Sequence, residues 1–192
     1  LAAGTQAVAQ APMQMEPEQV APGAWYVQGQ SALGSPANQN FISNAAFVIT
    51  PSSVVVIDAL GSPALAQRLM TEIRKRTELP ISHVIVTHYH ADHIYGLQAF
   101  KAAGARIVAH SRAREYLQSD TARLRLEASR QELSPWVDAK TQLVEADEWL
   151  EGDRTLTVGG VPFKIHHVGP SHTPEDLVVY LPDRKLLFAG DL

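Results

Sequence analysis

The chain has 192 residues, enough for one domain with a sizeable core, and 45% hydrophobic against 19% charged residues suit a folded protein and exclude a disordered one. A net charge of −4 leaves no basic excess to advertise nucleic acid, so no nucleic-acid partner is expected. With no cysteine, disulfides and thiolate metal ligands are excluded, and no apolar run reaches the ~18 residues that would suggest a membrane span.

Residues 1–22 are rich in Ala, Gln, Pro and Met and are expected to be a poorly ordered or signal-peptide-derived segment. Within it, Ala7-Val8-Ala9 and Ala9-Gln10-Ala11 read as A-x-A-like cleavage sites. They point to a periplasmic or secreted protein, with the cytoplasm as the alternative. The folded domain is expected over residues 23–192.

A first strand is expected over residues 24–28, followed by a loop of turn formers over 31–40. Residues 41–50 and 53–58 are strand-like runs broken by Pro51. The second, SVVVID, is almost continuously apolar, as a central strand should be. Ser62-Pro63 opens a helix as N-cap and first helical residue, and Leu65, Leu69 and Ile73, flanked by Ala66 and Met70, make one apolar face. The pattern then predicts a strand over 81–86, a short helix over 94–103 stopped by Gly104, a strand over 105–109 and one long charged helix over 111–133. Short strands follow over 142–145, 154–158, 161–168, 177–181 and 185–189. This order describes a layered α/β domain, with its site on loops at strand ends.

One stretch carries chemistry. Thr87-His88-Tyr89-His90-Ala91-Asp92-His93 directly follows the apolar Val84-Ile85-Val86. A random HxHxDH is expected on the order of 10⁻³ times per chain. Imidazole and carboxylate are ligands of zinc-type cations. A catalytic zinc takes three protein ligands and a water, so four candidates in six residues are too many for one ion. Two adjacent ions sharing a bridging water would use them all. Two more candidates stand at other loop ends. His172 lies in Gly169-Pro170-Ser171-His172-Thr173-Pro174, and Asp191 closes Leu187-Phe188-Ala189-Gly190-Asp191.

From about Trp25 to the last residue the chain resembles the metallo-β-lactamase superfamily. The resemblance rests on four motifs in order: a strand ending at Asp58, THxHxDH over residues 87–93, the G-x-x-H-T loop with His172, and the Gly190-Asp191 pair. It implies an αββα four-layer sandwich of two mixed β-sheets flanked by helices. It also implies that His88, His90 and His172 hold a first ion, that Asp92 and His93 belong to a second, and that Asp191 bridges both. Asp58 would support the ligand loop without binding metal. Asp92 would also be catalytic, orienting the nucleophile. The implied cofactor is zinc, as two ions, with iron as an alternative.

Two departures matter. Ser171 stands where the family often has glycine. The family's second ion usually takes one more histidine beyond the GD pair, along with further strands and a C-terminal helix, so the C-terminal part of the fold is expected to be missing here. The implied activity is hydrolysis of an ester, thioester, phosphoester or β-lactam-like amide of a small molecule by a metal-bound hydroxide. Residues 169–191 look closest to true metallo-β-lactamases, although one group of those has cysteine where Asp191 stands. Aspartate there is typical of the wider hydrolase set, including glyoxalase II-like thioesterases. Some persulfide dioxygenases, with one iron, also carry THxHADHxxG, which matches residues 87–96. A third reading is a metal-binding module without turnover.

The remaining candidates have plainer readings. His166 and His167 alternate on a strand and are expected to pack, as is His83. His110 ends a strand, where packing competes with a place near the cleft. Tyr89 could touch substrate or fill the core, and Trp136 and Trp149 read as core anchors. Arg112, Arg114, Arg123, Arg125 and Arg130, mixed with Glu115, Asp120, Glu127 and Glu132, read as a solvated helix face.

Overall fold

In the computed structural model of the chain, residues 13–192 are described. The A-x-A sites, and with them the expectation of export, lie outside the described residues. Strands β1 (Glu18–Ala21), β2 (Ala24–Val27), β3 (Ala45–Ile49), β4 (Val54–Ile57), β5 (Ile81–Ile85), β6 (Arg106–His110) and β7 (Glu148–Leu150) form one sheet in chain order. Pairing is antiparallel from β1 to β4 and parallel from β4 to β7. A second sheet, ordered β11-β10-β9-β8, consists of β8 (Arg154–Val158), β9 (Val161–His167), β10 (Leu177–Leu181) and β11 (Leu186–Phe188).

The expected α/β arrangement of two sheets with flanking helices is present; the first sheet is mixed as expected, whereas the described pairings of the second are all antiparallel. Its strands are joined by connections too short for the crossover that parallel pairing needs. Gly159-Gly160 joins β8 to β9 with both residues at positive φ (55° and 78°), the backbone of a tight primed hairpin turn.

Two hydrophobic clusters explain the layering. β4 is apolar at every position because both its faces are covered. Val54 and Val56 meet Leu65, Leu69 and Ile73 of helix α1 (Pro63–Arg74), while Val55 and Ile57 meet Phe163, Ile165 and Val179 of the second sheet. Strand β9 instead alternates, with Val161, Phe163 and Ile165 inward and Lys164 exposed. Helices α2 (Ala91–Ile94), α3 (Leu97–Ala102), α4 (Ala113–Leu117) and α5 (Asp120–Glu132) bury their apolar residues on the same side as α1. Helix, sheet and sheet are thus three of the four expected layers. The far face of the second sheet exposes Thr155, Thr157, Lys164 and Leu187. None of the described helices is long and apolar enough to cross a membrane.

Several boundaries differ from the sequence reading. The stretch expected to be poorly ordered through residue 22 contains β1, which pairs with β2, and a buried Met15. The long helix expected over 111–133 is two helices. Ser119 takes an extended backbone, its Oγ accepts the Ala122 N–H at 3.2 Å and donates to the Tyr116 carbonyl at 2.6 Å, and a new helix starts there. The helix expected over 94–103 starts earlier, at Ala91, and splits at Gly96. Residues 142–145 form no strand, because their polar backbone is met by side chains: the Gln142 N–H donates to Gln98 Oε1 at 2.7 Å and the Val144 carbonyl accepts the Tyr89 hydroxyl at 3.1 Å. The edge of the sheet is β7 instead.

Phe163 is fully buried between the two sheets. Phe163→Ala should cost about 3–5 kcal/mol of unfolding free energy, read from urea denaturation monitored by circular dichroism.

Candidate metal centre

The parallel pairing of β4 with β5 sets Ile57 beside Ile85, so the residues just past each strand emerge side by side. Asp58 and Thr87 meet there. The Asp58 carboxylate accepts the Thr87 amide at 2.8 Å on Oδ1 and the Thr87 hydroxyl at 2.7 Å on Oδ2. Oδ2 also accepts the Nδ1–H of His93 at 2.9 Å. With its one proton given to Asp58, the Thr87 hydroxyl can only accept from Nδ1 of His88, 3.0 Å away. Both His88 and His93 are therefore protonated on Nδ1, and each turns its Nε2 toward the cluster.

Those two Nε2 atoms are buried and have no hydrogen-bond partner. Among the described residues His110 Nε2 is also buried and unpartnered, but only the Nε2 atoms of His88 and His93 face further imidazoles and carboxylates, as ligand nitrogens would. Around them the side chains fall into two groups whose donor atoms lie within 4.8 Å of one another: His88, His90 and His172, and His88, His93 and Asp191. His172 Nε2 is 3.0 Å from His90 Nδ1. Asp191 belongs to the second group and also approaches the first, with Oδ1 3.2 Å from His93 Nε2 and Oδ2 3.7 Å from His88 Nε2 and 3.6 Å from His172 Nε2. Asp92 comes within 3.4 Å of His93 Nε2 but belongs to neither group. Imidazoles and carboxylates converging at these distances fit a divalent cation.

Close backbone approaches make the convergence possible. A Cβ on Gly190 would lie 2.8 Å from Thr87 Oγ, and its φ is +62°, so glycine is required on both counts for Asp191 to swing over the cluster. A Cβ on Gly96 would fall 1.9 Å from the Ala59 carbonyl. Glycine there lets α2 dock on the turn after β4, where the Ala59 amide donates to the His93 carbonyl at 2.9 Å.

The electrostatics differ sharply within the cluster. Burial, helped by neighbouring His93, pushes the His88 pKa down to about 4, and burial and His172 lower that of His90. Burial would lower that of His93 as well, but Asp58, Asp191 and Asp92 outweigh it and hold the value well above the usual histidine range. The close approach of His93 draws Asp191 down to about 2, and Asp92 is also lowered: burial opposes the shift and His93 prevails.

Other candidates go elsewhere. Tyr89 is completely buried and packs near Trp149, which lies under Arg114, so it fills the core. Trp136 ties its indole N–H to the Pro36 carbonyl at 2.9 Å. His110 stacks on His167 at 3.7 Å, His166 pairs with Asp153 and His83 with Ser82, all outside the two ligand groups. On α5, Arg123 pairs with Asp120 and Glu127, and Arg125 with Glu132, as a solvated face should. Two supports escaped the sequence reading. Ser43 donates its hydroxyl to the Asp92 carbonyl, a contact spanning 49 residues with no local signal. Asp176 accepts the Thr173 amide at 2.7 Å and hydroxyl at 2.6 Å, bracing the His172 loop; the T-x-x-D spacing is the signal that could have revealed it.

A layered α/β chain with a His/Asp cluster at the mouth of a parallel strand pair defines a metal-binding protein of the two-sheet sandwich class. The chain belongs to the Metallo-beta-lactamase superfamily, whose profile matches residues 39–192. It is similar to Metallo-beta-lactamase IND-1 of Chryseobacterium indologenes, 25% identical over 154 residues that cover 80% of this chain and 56% of that one. It is also similar to a Linear primary-alkylsulfatase of a Pseudomonas species, 25% identical and covering 74% of this chain and 32% of that one. Among solved structures, a metallo-beta-lactamase from Pontibacter korlensis superposes with a TM-score of 0.68 at 23% identity, covering 92% of this chain and 71% of the other, which shows the shared fold. The chain spans about half the length of the lactamase relatives it matches.

In the metal-free protein at pH 7, His93 should carry a proton and His88 none. Loading with zinc should therefore release about one proton, read by calorimetry in buffers of different ionisation enthalpy. Because the proton on His93 competes with metal, affinity for the His93 group should weaken as pH falls.

Proposed function

We propose that this centre binds two zinc ions and belongs to a hydrolase that opens an ester, thioester or β-lactam-like amide bond of a small molecule, in a protein exported to the periplasm or beyond. The observation that carries the reading is the pair of ligand groups sharing His88, with Asp191 of one also approaching the other and two buried Nε2 atoms left over. His88, His90 and His172 would hold one ion, Asp92 and His93 would contribute to the other, and Asp191 would reach both. Bound divalent ions would supply the acidity that makes water nucleophilic at neutral pH and would polarise the substrate oxygen.

The side chains do the rest. Asp92, held ionised by His93, is an acceptor at the edge of the cluster. It orients the attacking water and takes its proton on Oδ1, leaving Oδ2 toward His93. The Asp58–Thr87 pair keeps His88 and His93 in the tautomer that presents Nε2. No serine or cysteine nucleophile is needed. Support for hydrolysis comes from relatives that bear the names metallo-beta-lactamase and alkylsulfatase.

The purified protein should contain two zinc ions per chain by elemental analysis. It should turn over at least one member of a panel comprising a chromogenic cephalosporin, a thioester, an aryl ester and an alkyl sulfate. Chelation should abolish that activity and zinc should restore it. Asp92→Asn should lower kcat by roughly 10²–10⁴ while the three-histidine group still binds metal. Iron with oxygen uptake on a persulfide, or zinc without turnover on the whole panel, would sink the proposal.

A further inference from the structure

Two loops from different sheets must meet at a fixed spacing for His88 and His90 to share an ion with His172. Backbone pairing begins the join, with the Leu177 N–H donating to the Thr87 carbonyl at 2.9 Å. Two residues further along each chain, in antiparallel register, stand Tyr89 and Glu175. There the pairing is carried by a side chain: the buried Glu175 reaches across and its Oε1 accepts the Tyr89 N–H at 3.2 Å. The amide it takes lies between two of the three histidines, and Glu175 itself lies three residues from the third. The Tyr89 ring is anchored independently, through its hydroxyl on the Val144 carbonyl, so the amide is presented in a set direction. A buried amide without an acceptor is unfavourable, and the turn that carries His88 and His90 would move to find one.

We propose that Glu175 is a positioning residue for the metal centre, fixing the distance between the His88–His90 turn and the His172 loop by accepting the Tyr89 amide. The role rests on the reading that these three histidines hold one ion. It requires an acceptor of this length and does not require its charge. Glutamine keeps both length and acceptor, whereas aspartate keeps the charge but retracts the carboxylate by one methylene.

The test compares wild type, Glu175→Gln, Glu175→Asp and Glu175→Ala in two measurements. One is amide hydrogen exchange at Tyr89 in the metal-free protein, and the other is zinc affinity by competition with a chromophoric chelator. The Asp and Ala variants should exchange the Tyr89 amide at least roughly tenfold faster and bind zinc roughly 10–100-fold more weakly. The Gln variant should stay within roughly threefold of wild type in both. Should the Ala variant not fold, the Asp and Gln pair decides alone. Wild-type exchange and affinity in Glu175→Asp, or a Gln variant as impaired as Asp, would overturn the assignment. A wild type that binds zinc but hydrolyses nothing defeats the hydrolase reading and leaves this one standing.

Discussion

The centre depends on one carboxylate. Asp58 accepts three hydrogen bonds, two from Thr87 and one from His93, and is buried. Bonds to a charged acceptor are worth about 1.5–3 kcal/mol each, so together they can hold a short, polar turn in a single arrangement. They do more than hold it. By using the Thr87 proton and the Nδ1 proton of His93, Asp58 decides which nitrogen of His88 and of His93 is left to bind. A neutral side chain of the same size would keep the packing and lose that decision.

The same carboxylate explains why the cluster tolerates its own charge. Asp58, Asp92 and Asp191 surround His93 and raise its pKa, while burial lowers that of His88. The three carboxylates make an environment suited to positive charge, which a divalent ion held by these residues would meet. The half with three histidines and the half with carboxylates differ for this reason in how strongly protons compete for them.

Such an arrangement carries backbone strain, and the two-sheet core sustains it. Asp58 and Leu60 both adopt left-handed φ, at 62° and 66°, on the turn that receives α2. For a residue such as Leu60 this costs roughly 1–2 kcal/mol. Both flank β4, whose four residues are buried on each side by a different layer. The strained turn is thus anchored on a strand packed on both faces, which holds the loops that follow it.

Much was legible in the chain itself. The apolar run SVVVID announces the central strand, Ser62-Pro63 the start of α1, and the spacing of His88, His90, Asp92 and His93 the metal cluster, because each is a local pattern whose physics is complete within a few residues. His172 and Asp191 were legible for the same reason, as polar residues just past strand-like runs. Local patterns misled where a competing local bond won, as at Ser119, where a side-chain cap divides a helix whose charge pattern runs straight through. They were silent where the partner is distant: Ser43 on the Asp92 carbonyl and Glu175 on the Tyr89 amide lie 49 and 86 residues from their partners. The sequence alone determined which side chains could bind a metal. Tertiary structure decided that His88 belongs to both candidate groups, that Asp191 of one also approaches His172 of the other, and that Asp92 stands outside both. Those are statements about distances between loops, and only the pairing of β4 with β5 and the packing of one sheet on the other sets them.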